Sequence, residues 1–231
     1  MVSNLQLIGA DGCPGGWMVA LDYSDHTELA RWDTSHLASV TRRDSVLAAV
    51  FDIPIGLPPS GSRACDREAR KLLGRSRSSS VFPAPLRPML VAKSYAQALR
   101  IHRAIDGQGC SRQAYGILAK VAEIDELVRH HRAEHVYEGH PELAFQVLSG
   151  GTPPGASKHT REGRRVRWQL LVPEFPGLER FDPEPASSVD SLDAYACLWT
   201  ARRIAAGRAS WVPREDDEFD PALQTAMRIW F

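Results

Sequence analysis

The sequence predicts an α/β protein: a mixed sheet with helices packed against it. Three observations carry that expectation. The first 33 residues alternate strand and turn: "LQLIGA" is apolar, "DGCPGG" supplies three glycines and a proline, and "WMVALDY" and "TELARW" read as strands on either side of a polar "SDH". "VLAAVF" is then a continuous apolar run, suited to a central strand covered on both faces. Beyond it, helical and strand-like segments alternate to the last helix.

The elements follow in order. A short helix after the third strand has Thr34 or Ser35 as its expected cap, with Leu37 and Val40 on its inner face. Pro54, Pro58 and Pro59 end the central strand. Residues from about 60 to 132 read as a mostly helical insertion within a single domain spanning 1–231. In it "CDREARKLLG" is amphipathic, and Ile117, Val121, Ile124 and Val128 recur at helical spacing. "RSRSSSVFPAPLRP" reads as a basic loop. "HVYEG" is a short strand, and "PELAFQVLSGG" a helix closed by glycines. "TPPGASKHTREGRRVR" is expected to be a flexible basic loop, and "DSLDAYACLWTARRIAAG" a helix stopped at Gly207.

Composition narrows the function classes. The 231 residues are 43% hydrophobic, enough for one substantial core. Lys+Arg and Asp+Glu are both 28, so a nucleic-acid or membrane partner would have to meet a local patch. Cys13, Cys65, Cys110 and Cys197 lack paired metal spacing, and neither a zinc site nor a disulfide framework is expected. No stretch approaches the ~20 apolar residues of a membrane span, and the N-terminus lacks the pattern of a secretory leader. The expectation is a cytoplasmic protein with no membrane partner; no pattern sets an oligomeric state.

Acids are poor strand formers, so those at strand ends need a reason. Asp11 follows "LIGA", Asp52 interrupts "AVFDIPIG", and Glu138 sits in "HVYEGHPE". Asp190 and Asp193, three apart, share a face of the late helix. Brought to one sheet edge, these carboxylates would repel unless protonated or neutralised by a cation. All-oxygen donors suit Mg2+ or Mn2+, and two such ions roughly 4 Å apart can drive phosphodiester cleavage. Local readings compete. Asp11 could build a turn with Gly12, Asp190 could cap its helix, and Glu138 could be an edge-strand charge. Asp52 is the hardest to explain locally, with apolar neighbours on both sides.

The stretches "GADGCPGGW", "DIPIGLP", "CDREARKLLG", "SSVFPAP", "EGHPE", "ASKHTREG" and "DSLDAYACLWTA" run in order from Gly9 to Ala201. As a set they resemble domain-of-unknown-function family 429, described as predicted RNase H-like nucleases. RNase H-like enzymes carry an acid on the first strand, another on the strand after the first helix, and one or two on a late helix. Asp11, Asp52 and Asp190 with Asp193 match that layout, and "DSLDA" is similar to the late-helix pattern of bacterial Holliday-junction resolvases. Glu138 lies in the family's own "E-x-H-P-E" segment as a further candidate ligand. The resemblance implies a five-stranded mixed sheet in order 3-2-1-4-5.

A nuclease also needs cations for phosphate. Arg75, Arg77 and Arg87 fall in the first basic stretch; Lys158, Arg161, Arg164, Arg165 and Arg167 fall in the second. Lys158 stands out as a phosphate contact because "ASKHT" is a family segment; a solvated loop is the competing reading. His140 is either a proton carrier or a packed corner of "HPE". Of the six tryptophans, Trp17, Trp199, Trp211 and Trp230 are expected in a core or interface. "GADGCPGG" lacks a Walker lysine, which excludes a P-loop. The leading expectation is therefore metal-dependent phosphodiester hydrolysis, with nucleic acid met through the basic loops. Two alternatives stay open. One is an actin-like or sugar-kinase-like ATPase or phosphotransferase, whose domains also open with an Asp-Gly hairpin. The other is a noncatalytic binding protein on the same fold.

Overall fold

The N-terminal strand runs two residues further than the Asp-Gly pair suggests. In the computed structural model, which describes residues 5–23, 25–131, 134–184, 188–215 and 217–231, β1 spans Leu5–Cys13 and pairs antiparallel with β2, Gly16–Tyr23. Cys13 lies opposite Gly16, so the turn is Pro14-Gly15, with Gly15 at φ 77°. That conformation costs glycine little and would strain any other residue. Asp11 lies inside the ladder, opposite Met18, and is not a turn residue. Ser24 of the predicted "SDH" turn and Arg132, at the predicted end of the insertion, lie outside the described residues.

β3 (Thr27–Trp32) pairs antiparallel with β2. Asp33, one residue before the expected caps, accepts from the His36 amide at 2.8 Å and starts α1 (Thr34–Thr41). β4 (Ala48–Phe51) lies parallel to β1, and every one of its residues is buried. Next come α2 (Ala64–Arg77), α3 (Tyr95–Asp106), α4 (Arg112–Gly116) and α5 (Leu118–His131). β5 (Val136–Gly139) returns parallel to β4. It is followed by α6 (Pro141–Leu148), α7 (Arg161–Leu171) and α8 (Ser188–Ala205). Four two-residue strands end the chain: β6 (Trp211–Val212), β7 (Phe219–Asp220), β8 (Thr225–Ala226) and β9 (Ile229–Trp230). α7 corrects the expected flexible loop. Thr160 caps it through the Gly163 amide at 3.1 Å, and Arg164 and Arg167 are buried rather than solvated.

The central mixed sheet has the order β3-β2-β1-β4-β5, flanked by helices. β9 and β6 carry it two short strands beyond the expected five. There Trp230 meets the rings of Tyr137 and Trp211, with centroids 5.3 and 4.8 Å away.

The described chain divides into two compact units. The first comprises residues 1–52, 134–211 and 230–231 and contains β1 to β5. Pleat alternation sorts its side chains. Leu7, Ala20, Ala48 and Val50 face α8 and share a core with Phe145, Leu171, Leu192 and Leu198. On the opposite face Trp17 and Phe51 meet edge to face at 5.6 Å. Gly9 makes the closest approach to α8: a Cβ there would overlap the Leu198 amide and the Ala194 carbonyl. The second unit comprises residues 53–133 and 212–229. A core of Leu86, Met89, Ala98, Cys110 and Leu118 holds it together. Arg63 pairs with Asp66 at 2.6 Å, both 1% exposed.

Candidate functional site

Three acids distant in sequence meet at the carboxyl ends of the two central strands. Asp11 comes from β1. Asp52 directly follows β4, its amide donating to the Ala10 carbonyl at 2.9 Å, which aligns it beside Asp11. Asp193 comes from α8, which the bare backbone of Gly9 lets settle onto β1. One carboxylate oxygen from each of Asp11, Asp52 and Asp193 lies within 4.8 Å of the others. Among the described residues no other trio of His, Cys, Asp or Glu meets that condition.

Crowding acids in a protein-lined site disfavours their charge. Burial, then the charges of Asp52 and Asp193, hold the Asp11 carboxyl well above its usual range, against the pull of Lys158. Burial pushes Asp52 up to about 7; Lys158 opposes this, while Asp193 and Glu142 add to it. Asp190, a turn earlier on α8, is raised by partial burial and by Asp193, with Lys158 and Arg31 pulling the other way. The Cys197 thiol beneath the acids is driven well up by burial and by Asp52, Asp11 and Asp193, so it stays a neutral thiol.

Lys158 is the counterion. Its Nζ donates to Asp193 Oδ2 at 2.5 Å. Burial disfavours its charge, but Asp193 and Asp52 outweigh burial and keep the ammonium protonated. The loop carrying Lys158 is held from below. A Cβ on Gly163 would overlap the Ser157 carbonyl, so only glycine allows that approach. Fully buried Arg167 donates to the carbonyls of Ala156 and Gly163 at 3.0 and 2.9 Å, and to both oxygens of Glu142 at 2.6 and 2.8 Å. Thus Glu142 of "EGHPE" and Arg167 form a buried bidentate pair that shapes the site. Neither role is among the sequence expectations: Glu142 is not a candidate there, and Arg167 is one of the basic residues of the expected flexible loop. The one available signal was a second acid in a motif already noted.

The other predicted residues fall elsewhere. Glu138 pairs in register with Phe51, so the pleat puts it on the face opposite Asp11 and Asp52. It is buried there and stands outside the trio, as does Asp190. Arg161 is exposed and pairs with Glu184. Arg164 donates to the carbonyls of Pro183, His159 and Glu184, a structural role. Arg165 is exposed on α7. Arg75 and Arg77 belong to α2 of the second unit, where Arg87 is engaged by Asp125 and Asp220. Among the described residues no helix is long and apolar enough to cross a membrane.

The trio passes a chemical test as a cation site. Its donors are all carboxylate oxygens, which suit a hard divalent ion. Asp193, 1% exposed, keeps its Oδ1 without any hydrogen-bond partner, a cost proteins rarely leave unmet without cause. The family model described as "Protein of unknown function (DUF429)" matches residues 9–218, and the chain belongs to that family. Neither a curated protein nor a solved structure matches it.

Proposed function

We propose that this protein hydrolyses phosphodiester bonds with the help of a divalent cation, on an RNase H-like fold. The observation that carries the reading is the convergence of Asp11, Asp52 and Asp193 around a buried carboxylate oxygen with no partner. The sheet order and the acids on first strand, fourth strand and late helix support the RNase H-like assignment. A magnesium or manganese ion bound there would supply Lewis acidity and a nucleophilic water at neutral pH. Asp11 and Asp52 ionise to hold the cation, giving up the protons that crowding imposes on them. Asp193 contributes its free Oδ1 while its other oxygen fixes Lys158. Lys158 presents a permanent positive charge to a phosphate oxygen. Arg161 and Arg165, exposed on α7, offer contacts to flanking phosphates of a nucleic acid.

The test is cleavage of a panel of DNA, RNA and branched substrates by the full chain, with Mg2+ or Mn2+ and with chelator. Cleavage is expected only with the ion. Asp11→Asn and Asp52→Asn are each expected to lower the rate at least ~10²-fold, about 2.7 kcal/mol of lost transition-state stabilisation. Full activity in both variants would overturn the assignment. Tight nucleotide binding without cleavage would favour the actin-like or sugar-kinase-like alternative. Absence of both metal affinity and cleavage would favour a noncatalytic binding protein.

A further inference from the structure

The acids are not the whole of the charge in this site, and the lysine decides how many ions they can take. We infer that the trio holds one divalent cation per chain, and that Lys158 stands permanently where a second cation would otherwise be needed. The inference rests on the metal-dependent reading above.

Three observations carry it. First, Lys158 Nζ lies 2.5 Å from Asp193 Oδ2, so one oxygen of the shared ligand is already taken by a cation. Second, this ammonium is built in. Its loop is fixed by the Gly163–Ser157 backbone approach and by Arg167, whose guanidinium ties Ala156, Gly163 and Glu142 together. The Thr160 hydroxyl adds a bond to the Ser157 carbonyl at 2.8 Å. Third, Glu138 is on the opposite sheet face and Asp190 stands outside the trio, so a second ion would have to share Asp193 Oδ2, the oxygen that Lys158 Nζ holds. Three ionised carboxylates against one ammonium leave two negative charges, the charge of a single divalent ion. Lys158 would then meet the phosphate charge with no proton transfer required of it.

Mn2+ binding to the full chain, followed by the loss of the free-ion electron paramagnetic resonance signal, tests this directly. One ion per chain is expected for the native protein and for Lys158→Arg. Two are expected for Lys158→Met, because removing the ammonium leaves room and charge for a second. Should Lys158→Met unfold, Lys158→Gln serves with the same expectation. Two ions in the native protein, or one in both neutral variants, would overturn the inference while leaving the metal site standing. No Mn2+ binding by the native protein would overturn both.

Discussion

Two acidic clusters, one in each unit, are built on opposite terms. In the second unit, Asp125 and Asp220 flank Arg87, whose guanidinium donates to Asp125 at 2.7 Å and also engages Asp220. Arg129 adds a second cation to Asp125. Asp220 accepts from the Leu57 and Ala222 amides at 2.8 and 2.9 Å. Two acids thus meet two arginines, with backbone donors for the remainder. In the first unit, three acids meet one lysine, and an Asp193 oxygen is left without a donor. A satisfied network rigidifies a fold, whereas an unsatisfied one raises carboxyl pKa values and stores repulsion. The first arrangement is explained by stability alone. The second fits the cation proposed above, which would complete it.

Breaking the two clusters should therefore move stability in opposite directions. Arg87→Ala leaves buried Asp125 and Asp220 short of their central cation and is expected to cost about 3–5 kcal/mol in denaturant unfolding. Asp52→Asn removes a repelling charge and is expected to leave the ion-free protein as stable or more so. A large loss in Asp52→Asn would erase the contrast.

Next in size is Gly9→Ala. The added methyl would press on the backbone of α8 at Ala194 and Leu198, costing about 1–3 kcal/mol and shifting Asp193. Mn2+ affinity should fall with it. Gly116→Ala, where a Cβ meets nothing within 4 Å, is expected to stay within about 1 kcal/mol of the native protein. Equal effects from the two substitutions would show that α8 does not need that approach.

The last contrast is in pH dependence. In the ion-free protein, Asp52 keeps its proton up to about 7, whereas the same carboxyl in the unfolded chain releases it near 3.8. Between those values the folded state binds more protons, so stability should fall as pH rises across the window. Raised Asp11 acts in the same sense. Saturating Mg2+ should flatten the slope, and its own affinity should weaken as pH drops below 7. Thermal melts at successive pH values, with and without the ion, measure this. A slope unchanged by Mg2+ would count against the site.

Local chemistry made much of the fold legible. The β1–β2 hairpin, the wholly apolar β4 and the glycine-ended α8 all follow from residue type and period. α7 was hidden because Arg164, Arg165 and Arg167 look solvated. Two of these are buried by partners that only the folded chain supplies, while Thr160 and Gly163 carried the capping signal. At the site, Asp11, Asp52 and Asp193 were identifiable as acids in places that strands and helix faces do not favour.

From the sequence alone came most of the strands and helices, though not α7 or β6 to β9, and the carboxylates near the ends of β1 and β4 and on α8. Tertiary structure decided which of them meet. Register between β4 and β5 turned Glu138 away, since a shift of one residue exchanges the faces of a sheet. Packing of α8 onto Gly9 chose Asp193 over Asp190. The fold of the Lys158 loop turned a surface cation into the counterion of the site. Secondary structure is set by neighbours along the chain, but charge balance is set by neighbours in space.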